Sequence, residues 1–116
     1  MGKNIMKEER QVQDARAALA KYFPEFLDMS MNFLLGSIWN RPGLSQRDRS
    51  LITVAVLTAT SHSDELGFHI PRALTNGVTK DEIREVMVQM AFYAGWPAAI
   101  SAMTMAAQVY NNEQKT

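Results

Sequence analysis

A chain of 116 residues is long enough for one hydrophobic core and too short for two. Its hydrophobic share of 47% suits a globular protein, and 12 basic and 12 acidic residues cancel to a formal net charge of zero. That balance argues against nucleic acid or an anionic membrane as partner, since both attract a basic excess, and the lack of any cysteine excludes disulfide and thiol chemistry.

The N-terminal stretch MGKNIMKEERQVQD lacks the apolar core of a signal peptide. No apolar run reaches the roughly 20 residues that span a bilayer. The expected location is the cytoplasm.

Val12, Ala15, Leu19 and Phe23 recur at spacings of three and four, which predicts an amphipathic helix over Glu8 to Tyr22. Pro24 suits the first turn of a second helix, running to Trp39. Asn40 to Gly43, NRPG, reads as a turn. Ser45 then reads as an N-cap with Asp48 three residues on, opening the helix QRDRSLITVAVLTAT. That helix is almost wholly apolar after Ser50, so burial on most sides is expected of it.

Ser61 is the expected N-cap of the next helix, which ends at Asn76-Gly77 with glycine in the left-handed conformation. Thr79 to Glu82 forms a capping box before EIREVMVQMAFYA, which runs to Gly95. Pro97 starts the last helix, expected to fray into NNEQKT. These elements predict one all-α domain, residues 1–116, built as a bundle of about six helices. Segments 51–59 and 86–109 carry more apolar surface than so small a domain can hide, which predicts a homo-oligomer.

In the segment DELGFHIPRALTNG, His69 follows Glu65 by four residues and His62 by seven, so a helix there projects all three from one face. As metal ligands they lack a companion cluster on a second helix, and their spacing is unlike the paired histidines of helical zinc sites, so no metal is assigned. As acid–base groups, Glu65 one turn from His69 can fix its tautomer and raise its pKa. A solvated Glu65 beside a histidine at the edge of the core is the other reading, and residue types alone do not separate them. Pro71 removes the backbone bond to Gly67, a place where a kink forms cheaply, whether to open a pocket or merely to follow the core. Arg47, Arg49 and Arg72 are candidate carboxylate readers, each with solvation as its plain alternative. Trp96 suits a pocket wall, the core or an interface.

The blocks RPGLSQRDRSLITVAVLTA, DELGFHIPRALTNGVTKDEIREV and AFYAGWPAA, in that order, resemble the carboxymuconolactone decarboxylase family over about residues 22–110. The resemblance implies an alkylhydroperoxidase D-like, all-α fold that assembles as dimers, trimers or hexamers with sites at subunit contacts. In the family's peroxidase branch a Cys-x-x-Cys pair precedes the motif histidine; here those positions hold His62 and Glu65, which removes the thiols that branch needs.

The decarboxylase branch converts γ-carboxymuconolactone to an enol-lactone, a step in the breakdown of aromatic compounds. It needs no cofactor because the unsaturated lactone is its own electron sink. The resemblance implies a small carboxylate substrate, His69 as proton donor or oxyanion partner, and Glu65 holding its orientation and pKa. Arg49, Arg47 and Arg72 would bind substrate carboxylates, His62 would contact the substrate, and Trp96 would shape the wall. The family's decarboxylases commonly have a histidine where this chain has Gln89, which still hydrogen-bonds but does not transfer a proton. Oligomeric binding of a small acid without turnover is the alternative function on the same scaffold.

Overall fold

The computed structural model describes residues 14–115. They are helical throughout apart from short turns, with no strand among the described residues. The chain divides into two compact units, one ending at Pro42 and one beginning at Gly43.

In the first unit, residues 14–22 form helix α1. Residues 8–13 of the expected first helix lie outside the described residues. Pro24 opens α2 (Pro24–Asp28), as its fixed φ allows. From Met29 to Ile38 the helix widens into π geometry, closed by Trp39 N–H donating to the Leu34 carbonyl at 3.0 Å. Apolar side chains face outward along this unit, with Phe23, Phe26 and Phe33 each more than 60% exposed.

The second unit is a bundle of α3 (Gln46–Ala59), α4 (Ser63–Thr75), α5 (Lys80–Ala94) and α6 (Trp96–Lys115). Ser45 Oγ accepts from the Asp48 N–H and caps α3 as expected. Thr79 and Glu82 form the full capping box of α5. Gly77, at φ 102°, ends α4: its N–H donates to the Leu74 carbonyl and the Val78 N–H to the Ala73 carbonyl, a Schellman motif. Gly95, at φ 116°, turns the chain from α5 into α6.

Three expectations are corrected. The α3–α4 boundary is a second Schellman motif, in which Ser61 takes the left-handed position at φ 59°. Ser61 therefore ends α3, and His62 occupies the N-cap of α4, outside the helical stripe. The last helix begins at Trp96 and continues to Lys115. Its final turns are tied to α5 by Lys80, which lies 4.6 Å from the Tyr110 ring centroid and 4.0 Å from Glu113. Finally, α3 buries one face, through Ser50, Val54 and Thr58, while Ile52 and Val56 stay exposed on the other.

The core joins Val54 of α3, Leu66, Ile70 and Ala73 of α4, Ile83 and Met87 of α5, and Ala102 and Ala106 of α6. Alanines on α6 let it approach α4 closely, and a β-carbon placed on Gly67 would lie 3.6 Å from Met105 Sδ. Residues 66, 70 and 73 face inward, so the stripe one position earlier on α4 is held at the rim of the core. Among the described residues no helix is long and apolar enough to cross a membrane.

Candidate active site

The rim of α4 carries Glu65, His69 and Arg72 at i, i+4 and i+7, successive turns of one face. The sequence stripe is thus shifted by one member, with Arg72 joining at its end and His62 leaving at its start. Leu66 and Ile70, fully buried beside them, lock the helix phase that presents these three side chains.

His69 is half-buried, its Nδ1 shielded from solvent, with its ring packed edge-on to Phe68 at 5.0 Å between centroids. Its pKa lies below the ordinary imidazole value of 6.5. Burial is the main cause, the Arg72 charge adds to it, and Glu65 pulls the other way. This reverses the expectation that Glu65 raises the pKa of His69: a carboxylate one turn away is outweighed by desolvation and by a cation on the opposite side. At neutral pH the ring is neutral, able to donate one N–H and accept at the other nitrogen.

Arg47 is not part of this arrangement. Its guanidinium pairs with Glu82, and lies 3.5 Å from Asp48. One Glu82 oxygen closes the α5 capping box while the other takes Arg47, so the pair ties the start of α3 to the start of α5. The Thr79 N–H first, and then Arg47, hold the Glu82 carboxyl below the usual carboxylate range. In this structure Arg47 is thus engaged as a tie between α3 and α5. Arg49, two positions on, projects roughly 200° around α3 from Arg47, with its Nε buried.

Gln89 and Trp96 are found in other surroundings: Gln89 beside a cavity, Trp96 against Phe92. Gln89 faces an open cavity of about 530 Å³ between α3 and α5, walled by Leu51, Ile52, Ala55, Val86 and Met90. Asp81, Glu82 and Glu85 also border it, and their charges suit a carboxylate poorly, while His69 does not line it. Trp96 is 63% exposed and packs edge-on to Phe92 at 6.2 Å between centroids.

His62 sits in the α3–α4 turn, its Nδ1 2.6 Å from Thr60 Oγ1. Thr60 escaped the sequence reading, since a threonine near a helix end carries no functional signal until its hydroxyl is seen against the ring. Among the described residues no cluster of three or more His, Asp or Glu side chains is placed to hold a metal ion.

The family model for the carboxymuconolactone decarboxylase family matches residues 24–108. A 4-carboxymuconolactone decarboxylase of Acinetobacter baylyi is 39% identical over 104 residues, covering 90% of this chain and 78% of that protein. The nitrosuccinic acid decarboxylase npaB of Metarhizium robertsii is 40% identical over 77 residues, 66% of this chain and 54% of the relative. An uncharacterized 15.0 kDa protein of Paracoccus denitrificans is 32% identical over 100 residues, covering 84% of this chain and 75% of that one. The chain belongs to the carboxymuconolactone decarboxylase family and is a carboxy-lyase of that type.

Proposed function

We propose that the protein is a cofactor-free decarboxylase of a small carboxylated lactone, γ-carboxymuconolactone or a close analogue, in the breakdown of aromatic compounds. The observation that supports this reading is the Glu65–His69–Arg72 stripe, a half-buried imidazole between a carboxylate and a guanidinium, inside the region matched to the family.

Such a substrate enters as an anion, and Arg72, with Arg49, supplies guanidinium forks for its carboxylates. Loss of CO2 leaves an electron pair that the unsaturated lactone takes up as a dienolate, so the chemistry draws its electron sink from the substrate. What remains for the protein is to hold the developing oxyanion and return a proton. His69, neutral in its half-buried site, donates an N–H hydrogen bond to that oxyanion, and Glu65 keeps the ring oriented. The peroxidase chemistry of the family's other branch is set aside because the chain has no cysteine.

The exposed apolar residues Ile52, Val56, Val88, Phe92, Tyr93, Trp96 and Ile100 support assembly as a homo-oligomer, a trimer or hexamer in this reading. Trp96, exposed on this surface, would then lie at or near a contact between copies. Light scattering of the purified protein checks this, and a monomer at micromolar concentration would remove it. The family match takes in parts of both units, which supports reading the chain as one family domain.

The activity is tested by mixing purified protein with γ-carboxymuconolactone, and separately with nitrosuccinate, while following CO2 release and ultraviolet absorbance. Turnover of the lactone supports the proposal. Tight binding with no CO2 released from either acid would make the protein a binding scaffold instead.

A further inference from the structure

The charges of the second unit are sorted by end. No lysine or arginine occurs between Ser50 and Pro71 or between Glu85 and Gln114. Arg47 and Arg49 stand in the first turn of α3, Arg72 in the last turn of α4, and Lys80 and Arg84 in the first two turns of α5. Three contacts bring those turns to one end of the bundle: Arg47 with Glu82, Asn76 Nδ2 donating to Ser50 Oγ at 2.9 Å, and Lys80 beside Tyr110. The opposite end, where α3 and α5 finish and α4 and α6 begin, carries Asp64 and Glu65 in the first turn of α4 and no lysine or arginine.

The Glu65–His69–Arg72 stripe runs along this gradient and is turned toward α3. Asn76, one turn beyond Arg72 on the same face, makes the bond to Ser50, whereas Gly67 on the other flank of α4 lies against Met105 of α6. On α3, Leu51 and Ala55 wall the cavity on the α5 side of the buried line, so Arg49 and Thr53 fall on the α4 side. The Nε atoms of Arg49 and Arg72 are both shielded from solvent. The seam between α3 and α4 thus has two guanidiniums at one end, an imidazole midway and an exposed carboxylate, Glu65, at the other. Among the described residues no lysine or arginine pairs with Glu65. Glu65 and Arg72 are seven residues apart, roughly 10 Å of helix rise, which leaves room for a small acid with a carboxylate toward each end.

We propose that this gradient selects which carboxylate of a dicarboxylate substrate leaves: the retained one lies on Arg72 and Arg49, and the departing one faces Glu65, whose charge opposes it. The proposal rests on the decarboxylase reading above and gives Glu65 a part in specificity beyond orienting His69. A carboxylate gripped by a guanidinium is stabilised as an anion, and that stabilisation is lost as it becomes neutral CO2, so a gripped carboxylate resists departure. Beside Glu65 the balance reverses, because repulsion present in the bound substrate is relieved as charge moves off the carboxylate. The C–C bond to that carboxylate breaks, its electron pair enters the unsaturated lactone as a dienolate, and CO2 departs. A proton from solvent completes the new C–H bond, so one proton is consumed for each CO2 released and nothing is oxidised or reduced. Bound the other way round, the departing carboxylate is held by arginine and the retained one is opposed by Glu65, which weakens binding and slows loss together.

Binding and turnover separate the two roles of Glu65. Succinate offers two carboxylates without an electron sink, and propionate offers one. By calorimetry, Glu65→Gln should bind succinate roughly threefold or more tighter than the wild type, with propionate changed less than about twofold. On γ-carboxymuconolactone the same variant should lose roughly tenfold or more in kcat while KM also falls, the pairing that marks relief of repulsion in the bound state. Glu65→Asp keeps the charge and should return succinate binding toward the wild-type value. Arg72→Gln should weaken both acids. Succinate binding that is unchanged or weaker in Glu65→Gln would show a residue that only orients His69, and would overturn the proposal. So would tighter binding with kcat intact, or an Arg72→Gln variant that binds both acids as before. If the wild type releases no CO2 from γ-carboxymuconolactone, the decarboxylase reading fails and the proposal with it; failure of the proposal alone is seen in an active enzyme whose Glu65→Gln variant gains no affinity for succinate.

Discussion

Arg72 lies one turn beyond His69 on α4, and its charge joins burial in holding the His69 imidazole below its ordinary pKa. The two charges acting on the ring, Arg72 and the opposing Glu65, can be removed singly. Arg72→Met should raise the His69 pKa toward 6.5, and Glu65→Gln, which deletes the opposing carboxylate, should lower it further. Both shifts are read by NMR titration of the ring. A pKa that rises in Glu65→Gln would mean that Glu65 does not act on His69 through its charge.

The same depression gives the fold a pH dependence of definite sign. Above about 6.5 the ring is neutral in both folded and unfolded chains, and the full stability is present. As pH falls through 6.5 toward the lower folded value, the unfolded chain takes up a proton that the folded one resists, and stability declines. Urea unfolding midpoints across pH 7.5 to 5 should show this decline, and His69→Gln should flatten the part due to this ring.

Arg47 and Glu82 yield a contrast. Because the guanidinium is held by Glu82, Arg47→Gln should lower thermal stability while KM for a carboxylate substrate changes less than about threefold. Arg72→Gln should do the reverse, raising KM or lowering kcat with little loss of stability. An Arg47→Gln enzyme with intact stability and a KM raised tenfold would return Arg47 to the site.

Thr79→Ala removes the hydroxyl half of the α5 capping box and should cost about 1 kcal/mol, seen as a drop of a few degrees in Tm. Gly67→Ala should act oppositely. Its new β-carbon would meet Met105 Sδ at 3.6 Å, an ordinary contact, while the helix gains about 0.4–1 kcal/mol from reduced backbone freedom. Loss of stability in Gly67→Ala would show that α4 and α6 need a closer approach there.

The fold was legible where a residue type has only one common use. Ser45, Thr79 and Gly77 each mark a helix end by chemistry that acts within a few residues, and each does what its type implies. The α3–α4 boundary was misread because Ser61 fills a position usually given to glycine, and serine is ordinarily a cap. Nothing in MSMNFLLGSI marks the π segment, since its wider turn depends on hydrogen-bond choice rather than on any breaking residue.

At the site, spacing alone placed Glu65 and His69 together. It did not reveal that burial outweighs Glu65, because the depth of a side chain depends on the packing of α4 as a whole. The separate fates of Arg47 and Arg49 turned on helix phase, which Ser50 and Val54 fix only by being buried. Thr60 became informative only when its hydroxyl was seen between the Val56 carbonyl and His62.

The most direct test of the account is kcat/KM on γ-carboxymuconolactone for the wild type and His69→Ala, with circular dichroism and light scattering confirming that both have the same fold and assembly. A neutral imidazole that holds the oxyanion predicts a loss of about a hundredfold or more in kcat, with CO2 release and absorbance change falling together. A His69→Ala enzyme within a few-fold of the wild type would contradict the placement of the reaction on α4.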